Sequence, residues 1–308
     1  MFDRQIASAL FLKLALTLMG LPLLGLCFSS PASAGTPILI VSDIDDTLKQ
    51  AYVRSPLRKS INAFFDYAEF PGMSDLYRNL NQNSAATIHY VSNAPEYLMQ
   101  KRHQRFLEQF NFPHPQNLHT RPDIDNDSFK VEMILGLVEK EQPEVLVLIG
   151  DDGECDPVYF YMIRQALASS KIKIISFVHS VYSQFDFPKD LLSSPATASF
   201  YYVTPVEIAL NLHHLGLLGE SQLQEVTSAL LPKLLEDLRN TSQSYTFPQW
   251  KDCSEAERQW PQPPAPLAGL EELRSLVSKR CGHQAPNTEP ETGSVALGKQ
   301  ESNSDNHR

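Results

Sequence analysis

Cysteine is scarce in this sequence, with four among 308 residues, and tryptophan scarcer still, with two. A small scaffold framed by many disulfides is therefore excluded. Basic residues are in the minority: 26 lysines and arginines face 36 aspartates and glutamates, a formal charge of −10. Generic nucleic-acid binding is excluded on that balance, because attraction to a phosphate backbone needs an excess of positive charge. No apolar run beyond residue 34 is long enough to span a bilayer, and no internal repeat is evident.

The one long apolar run lies near the N-terminus. "LALTLMGLPLLGLCF" follows the charged residues Asp3, Arg4 and Lys13 and precedes small residues around Ala32 and Ala34. That order is a secretory signal peptide with an A-x-A cleavage site, residues 1–34. The expected setting is secreted or periplasmic, with a mature chain from Gly35. Cleavage removes one negative and two positive charges and so moves the formal charge from −10 to −11. Cys155, Cys253 and Cys281 then remain in an oxidising compartment. Cys253 and Cys281 flank one C-terminal segment and are the favoured disulfide, leaving Cys155 as a thiol.

From residue 35 to 219 apolar strand-like runs alternate with helical stretches. "PILIVS", "ATIHYVS", "EVLVLIG" and "KIKIISFVH" are continuous apolar runs, the pattern of parallel strands covered on both faces, and "SFYYV" adds a fifth. Helical stretches lie between them: "PEYLMQKRHQRFLEQF", "SFKVEMILGLVEKE" and "PVYFYMIRQALASS", the first and third opening on proline. Such alternation predicts an α/β fold, a doubly wound parallel sheet forming one catalytic domain. Residues 220–282 form a helical C-terminal extension, with an amphipathic helix kinked at Pro232 and a second carrying Leu267, Leu270, Leu273, Val277 and Cys281 on one face. Residues 283–308 are polar and predicted to be disordered.

The chemistry concentrates in "VSDIDDTLK" and "GDDGECD". In a parallel α/β sheet the working crevice lies beyond the carboxyl ends of the strands. Asp43 and Asp45 take that position after the first strand, and Asp151 and Asp156 match it after "EVLVLI". Like charges gathered in this way repel unless a cation sits among them, and Mg²⁺ suits an all-oxygen ligand set. Ser92 at the end of "IHYVS" and Lys130 on a helix supply a hydroxyl and an ammonium suited to phosphoryl oxygens.

The order Asp-x-Asp-x-Thr, Ser, Lys, Gly-Asp-x-x-x-x-Asp resembles the four-motif arrangement of haloacid dehalogenase-type phosphohydrolases. "SDIDDTLK", "FPGMSDLYRNL", "HYVSNAPEYL" and "LIGDDGECDPVYFY" are together similar to the catalytic domain of the actin-patch phosphatidate phosphatase family and its bacterial secreted relatives, over roughly residues 37–215. One stretch departs from it: the family's Ser-Ser-Ser-Pro-Trp stands here as Ser92, Asn93, Ala94, Pro95 and Glu96. The resemblance implies a haloacid dehalogenase-like Rossmannoid sheet with a small cap segment. It implies Asp43 as nucleophile, Asp45 as general acid and base, and Mg²⁺ held by Asp43, the Asp45 carbonyl, Asp151 and Asp156. By the same likeness Ser92, Asn93 and Lys130 meet the phosphoryl group, and Thr47 fixes the loop and borders the substrate. The implied activity is hydrolysis of a phosphomonoester, with a phosphatidate-like lipid as substrate. Two alternatives stand beside it: a phosphatase of small soluble monoesters, and a secreted interaction protein without turnover, against which an intact Asp43 and Asp45 argue.

Other features carry less. Asp46 and Asp152 are read as loop-structuring. "DIDND", residues 123–127, mimics a calcium loop, but Ser128 and Ile134 stand where glycine and a bidentate glutamate belong. Among the histidines, His103, His114 and His119 show no zinc-ligand spacing, His213 and His214 fall on different helix faces, and His89 is a core residue. His179 ends a strand beside the crevice. The cap segment places Leu57, Ile61, Phe64 and Ala68 on one helical face, with Arg54, Arg58 and Lys59 near its start; the face is read first as packing on the protein's own core, with peripheral contact with an anionic lipid surface as the functional alternative.

Overall fold

The computed structural model describes residues 36–53, 68–82, 85–123, 125–153, 155–182, 198–240, 244–254 and 260–282. The expected signal peptide, the polar tail, and Arg54, Leu57, Arg58, Lys59, Ile61 and Phe64 of the expected cap segment lie outside the described residues.

Six parallel strands form one sheet: β1 (Ile38–Ser42), β2 (Ala86–Pro95), β3 (Leu118–Arg121), β4 (Val145–Asp151), β5 (Lys173–His179) and β6 (Ala198–Tyr202). Their order is β3-β2-β1-β4-β5-β6. The chain steps outward from β1 to β3 and then returns to the other side of β1, so the winding reverses between β1 and β4. A crevice opens at such a reversal, outside the carboxyl ends of the two strands. This is the doubly wound α/β sheet expected from the alternating pattern.

Strand periodicity sorts the core into two layers. Ile38, Ile40, Val147 and Ile149 face one side, where they pack with α1 (Met73–Leu80), α2 (Glu96–Gln109), α5 (Pro205–His214), α6 (Glu220–Arg239) and α7 (Leu270–Arg280). Leu39, Val41, Leu146 and Leu148 face the other, against α3 (Phe129–Glu141) and α4 (Asp156–Ala166). Every residue of β1 and β4 is buried, which is why both read as unbroken apolar runs.

Several local expectations change. Strand β3 is missed by the apolar-run criterion, because "LHTR" is four residues long and buries only alternate positions. Pro95 does not open α2; it ends β2 with an extended backbone and caps the helix. Helix α6 runs without interruption through Pro232. The C-terminal helices share the main core, with Leu223, Leu230, Leu234, Leu273 and Val277 buried in the same cluster as β1. No helix among the described residues is long and apolar enough to cross a membrane.

Cys253 and Cys281 are disulfide-bonded across a sequence separation of 28, and Cys155 keeps an exposed thiol. The bond ties the end of α7 to the segment before it. On the chain-entropy argument, closing a loop of this length stabilises the fold by about 3–4 kcal/mol. Cys253→Ser is accordingly expected to lower the urea midpoint of the full chain by that equivalent, and a reductant to do the same to the wild type.

Acid should weaken the fold through a histidine pair of which His89 is buried. His89 Nδ1 lies 3.0 Å from His119 Nε2 with the rings stacked. Burial, aided by the neighbouring His119, lowers the His89 pKa from 6.5 to about 4. A neutral buried imidazole stabilises only where the unfolded chain is also neutral. This contribution is full above pH 6.5 and disappears as pH falls towards about 4. Chemical denaturation across that window should show a smaller loss of stability for His89→Gln than for the wild type.

Candidate active site and metal centre

Both sides of the switch point supply carboxylates. Asp43 follows β1 directly and donates its backbone N–H to the Ile149 carbonyl at 2.8 Å, which fixes it beside β4. Asp151 ends β4, and Asp156 opens α4 after a short turn. One oxygen of each of Asp43, Asp151 and Asp156 lies within 4.8 Å of the others, and all three residues are buried. Gly150 permits this closeness, because a Cβ there would collide with the Asp156 carboxylate. A side chain at Gly153 would strike Asp151 and the Tyr182 ring.

Lys130 reaches this cluster from α3. Its Nζ donates to Asp43 Oδ1 at 2.7 Å and also to Asp156. Burial works against the ammonium, but the carboxylates of Asp156 and Asp43 outweigh it and raise its pKa. Burial pushes the Asp43 carboxyl well up, and the Lys130 ammonium opposes that shift. Three carboxylates thus gather around an ammonium that touches two of them. The cluster consists of hard oxygen donors in surplus over that one cation, which is the donor chemistry a divalent ion such as magnesium takes.

Asp45 stands apart from the cluster and is partly exposed. Lys49 Nζ donates to its Oδ1 at 3.1 Å, and His103 Nε2 lies 3.3 Å from its Oδ2. Ser92 ends up buried at the carboxyl end of β2, its Oγ accepting the Ala94 N–H at 3.1 Å. Asn93 next to it interacts with the Tyr159 hydroxyl. Thr47 is fully buried, with its hydroxyl 3.4 Å from Asp151 Oδ2. It therefore braces the carboxylate loop.

Asp46 is the hub of the loop after β1. It adopts a left-handed backbone, φ 58°, a conformation aspartate tolerates better than most residues. Its carboxylate accepts the N–H groups of Ala51, Tyr52 and Val53 at 2.8 Å each and the Tyr182 hydroxyl at 2.5 Å. Burial raises its pKa to about 6 against these hydrogen bonds. Asp152 accepts the N–H groups of Val181 and Tyr182 at 2.9 and 3.0 Å. His179 donates from Nδ1 to the Asp46 carbonyl at 2.7 Å and accepts Lys251 Nζ at Nε2, also at 2.7 Å. It is a buried strut between two segments. "DIDND" leads into α3 by hydrogen bonds from Ser128 to Asn126 and Glu132.

The motif residues Asp43, Asp151, Asp156 and Lys130 therefore surround one point, with Ser92 and Asp45 linked to each other through His103. Sequence reasoning set His103 aside for want of zinc-ligand spacing and passed over Lys49 and Tyr182. His103 has no motif around it, and only its place on the buried face of α2, with Met99, Phe106 and Leu107, could have flagged it.

A doubly wound parallel sheet thus carries this constellation of carboxylates and an ammonium at its switch point. Residues 38–176 match the family model described as Phosphatidate phosphatase APP1, catalytic domain, the family that the motifs resemble. The match ends within β5. No curated protein matches the chain. Among solved structures, UDP-GlcNAc 2-epimerase from Neisseria meningitidis bound to UDP-GlcNAc is similar at 12% identity and a TM-score of 0.31. The match covers 67% of this chain and 51% of that one, so the chain spans about half the length of that structure.

Removing Lys130 tests the electrostatic account. Lys130→Met should cost about 3–5 kcal/mol in urea unfolding with a chelator present, because buried carboxylates lose their counter-charge. Adding Asp156→Asn should restore part of that loss.

Proposed function

We propose that this protein is a magnesium-dependent phosphomonoester hydrolase that works through an aspartyl-phosphate, with phosphatidate-type lipids as its substrate class. The observation that carries the reading is Asp43. Its carboxylate is held at the switch point by Lys130, beside Asp151 and Asp156, with Asp45 two residues further on. The family match supports the lipid substrate.

In the first step an Asp43 oxygen attacks phosphorus, the phosphorus–oxygen bond to the alcohol breaks, and Asp45 gives its proton to the departing alkoxide. In the second, the Asp45 carboxylate takes a proton from water, whose oxygen attacks the same phosphorus and releases Asp43 and inorganic phosphate. Lys130 and the Ser92 hydroxyl contact the phosphoryl oxygens as charge shifts between them. Asp43, Asp151, Asp156 and the Asp45 carbonyl would hold the magnesium ion, which when bound neutralises phosphate charge next to the nucleophile.

The reading includes export, since a disulfide such as Cys253–Cys281 persists where thiols are oxidised. It also includes peripheral contact with lipid, which a diacyl substrate requires.

Phosphate release from dioctanoyl phosphatidate should depend on added Mg²⁺ and fall about a thousandfold or more in Asp43→Asn. A preference for glycerol phosphate or sugar phosphates over the diacyl ester would overturn the lipid assignment, and magnesium-independent release the metal assignment.

A further inference from the structure

Helix α2 contributes a side chain that the four motifs leave unused. His103 is completely buried, on the face of α2 that also carries Met99, Phe106 and Leu107. Its Nε2 sits 3.3 Å from Asp45 Oδ2 and 3.4 Å from Ser92 Oγ. Its Nδ1 is buried and meets no hydrogen-bond partner. Two motif residues from different strand ends therefore converge on one nitrogen of one imidazole.

We propose that His103 is a positioning residue whose Nε2–H, shared between Asp45 Oδ2 and Ser92 Oγ, aims the acid-base carboxylate and the serine hydroxyl at the same substrate. The proposal rests on the reading of Asp45 as proton donor to the leaving alkoxide.

The tautomer follows from the surroundings. A neutral imidazole carries one proton. Placed on Nδ1, that proton would be a buried donor without an acceptor, and the Nε2 lone pair would face a carboxylate oxygen. Placed on Nε2, it serves both oxygens. Ser92 Oγ then accepts from His103 and from the Ala94 N–H, and its own proton is left to donate to a phosphoryl oxygen. Asp45 is gripped at both oxygens, by Lys49 from its own loop and by His103 from α2, so its plane cannot rotate away from the alcohol. As Asp45 releases its proton, the bond from Nε2–H becomes a charge-assisted one and strengthens. An interaction that grows along the reaction lowers the barrier, whereas one of constant strength would not.

The test compares esters that do and do not need a proton on the leaving group, using the full chain with Mg²⁺. The value of kcat/KM covers the steps up to departure of the alcohol. His103→Leu should lower kcat/KM for dioctanoyl phosphatidate by about a hundredfold, while that for p-nitrophenyl phosphate, whose phenolate leaves unaided, should fall far less, by the share that the Ser92 hydroxyl alone contributes. His103→Gln, which keeps an N–H donor near the same place, should recover most of the loss. Equal losses on both esters, or no loss on the alkyl ester, would overturn the proposal. A readout independent of turnover is the imidazole ¹⁵N spectrum of the wild type. It should show His103 protonated at Nε2, with resonances that move in Asp45→Asn. Protonation at Nδ1 would sink the proposal even in an active enzyme. If the wild type hydrolyses neither ester, it is the phosphatase reading that fails, and the spectrum alone decides whether His103 holds Asp45.

Discussion

The structure depends on one electrostatic constraint: Asp43, Asp151 and Asp156 are buried within 4.8 Å of each other, and Lys130 reaches into them. Carboxylates do not enter a protein interior together unless positive charge goes with them, since desolvation of each ion costs several kcal/mol. The sheet order supplies the location. With β1 and β4 adjacent and the winding reversed between them, two strand ends deliver aspartates to the same crevice, and α3 crosses from the far layer with the lysine. Gly150 admits the third carboxylate where any side chain would block it. Arranged in this way, the cluster offers buried carboxylate oxygens that could hold a cation beside the Lys130 ammonium.

Two aspartates separated by a single residue are given different surroundings. Asp43 lies deep against the Lys130 ammonium, and burial raises its pKa. Asp45 is partly exposed and meets Lys49 and the His103 imidazole. A nucleophile benefits from having water excluded, whereas a group that must pass protons to an alcohol and take them from water needs access to both. The difference in depth supports the proposed roles on physical grounds, independently of motif order.

Much of this was legible in the residues. The apolar runs of β1, β2, β4 and β5 announce buried parallel strands, and aspartates at two of their ends, with Ser92 and Lys130, mark the crevice. Strand β3 was not legible, because "LHTR" is too short and too polar to separate from loop. Neither was His103, whose contact with Asp45 is created by the fold bringing α2 over the loop after β1. Local sequence records which face of a helix is buried; it does not record which polar atom waits there. Asp46 was legible as a loop former, but its partner Tyr182 lies across the sheet and could not be read from spacing.

That partnership explains why the chain beyond β5 matters to a site built before it. Asp46 is held in a left-handed conformation, and its carboxylate is kept in place partly by the Tyr182 hydroxyl. Tyr182 is in turn fixed by Asp152 at its backbone and by stacking on Trp250, with ring centroids 5.5 Å apart. Trp250 also stacks on Tyr52 at 4.8 Å, the neighbouring Lys251 bonds His179, and Asp252 donates its N–H to the Val181 carbonyl at 2.8 Å. Cys253 then anchors this stretch to α7 through the disulfide. A backbone conformation of this kind persists only where its surroundings over-determine it. The C-terminal segment provides that over-determination from outside the 38–176 match, and so braces the turn that directly follows Asp45.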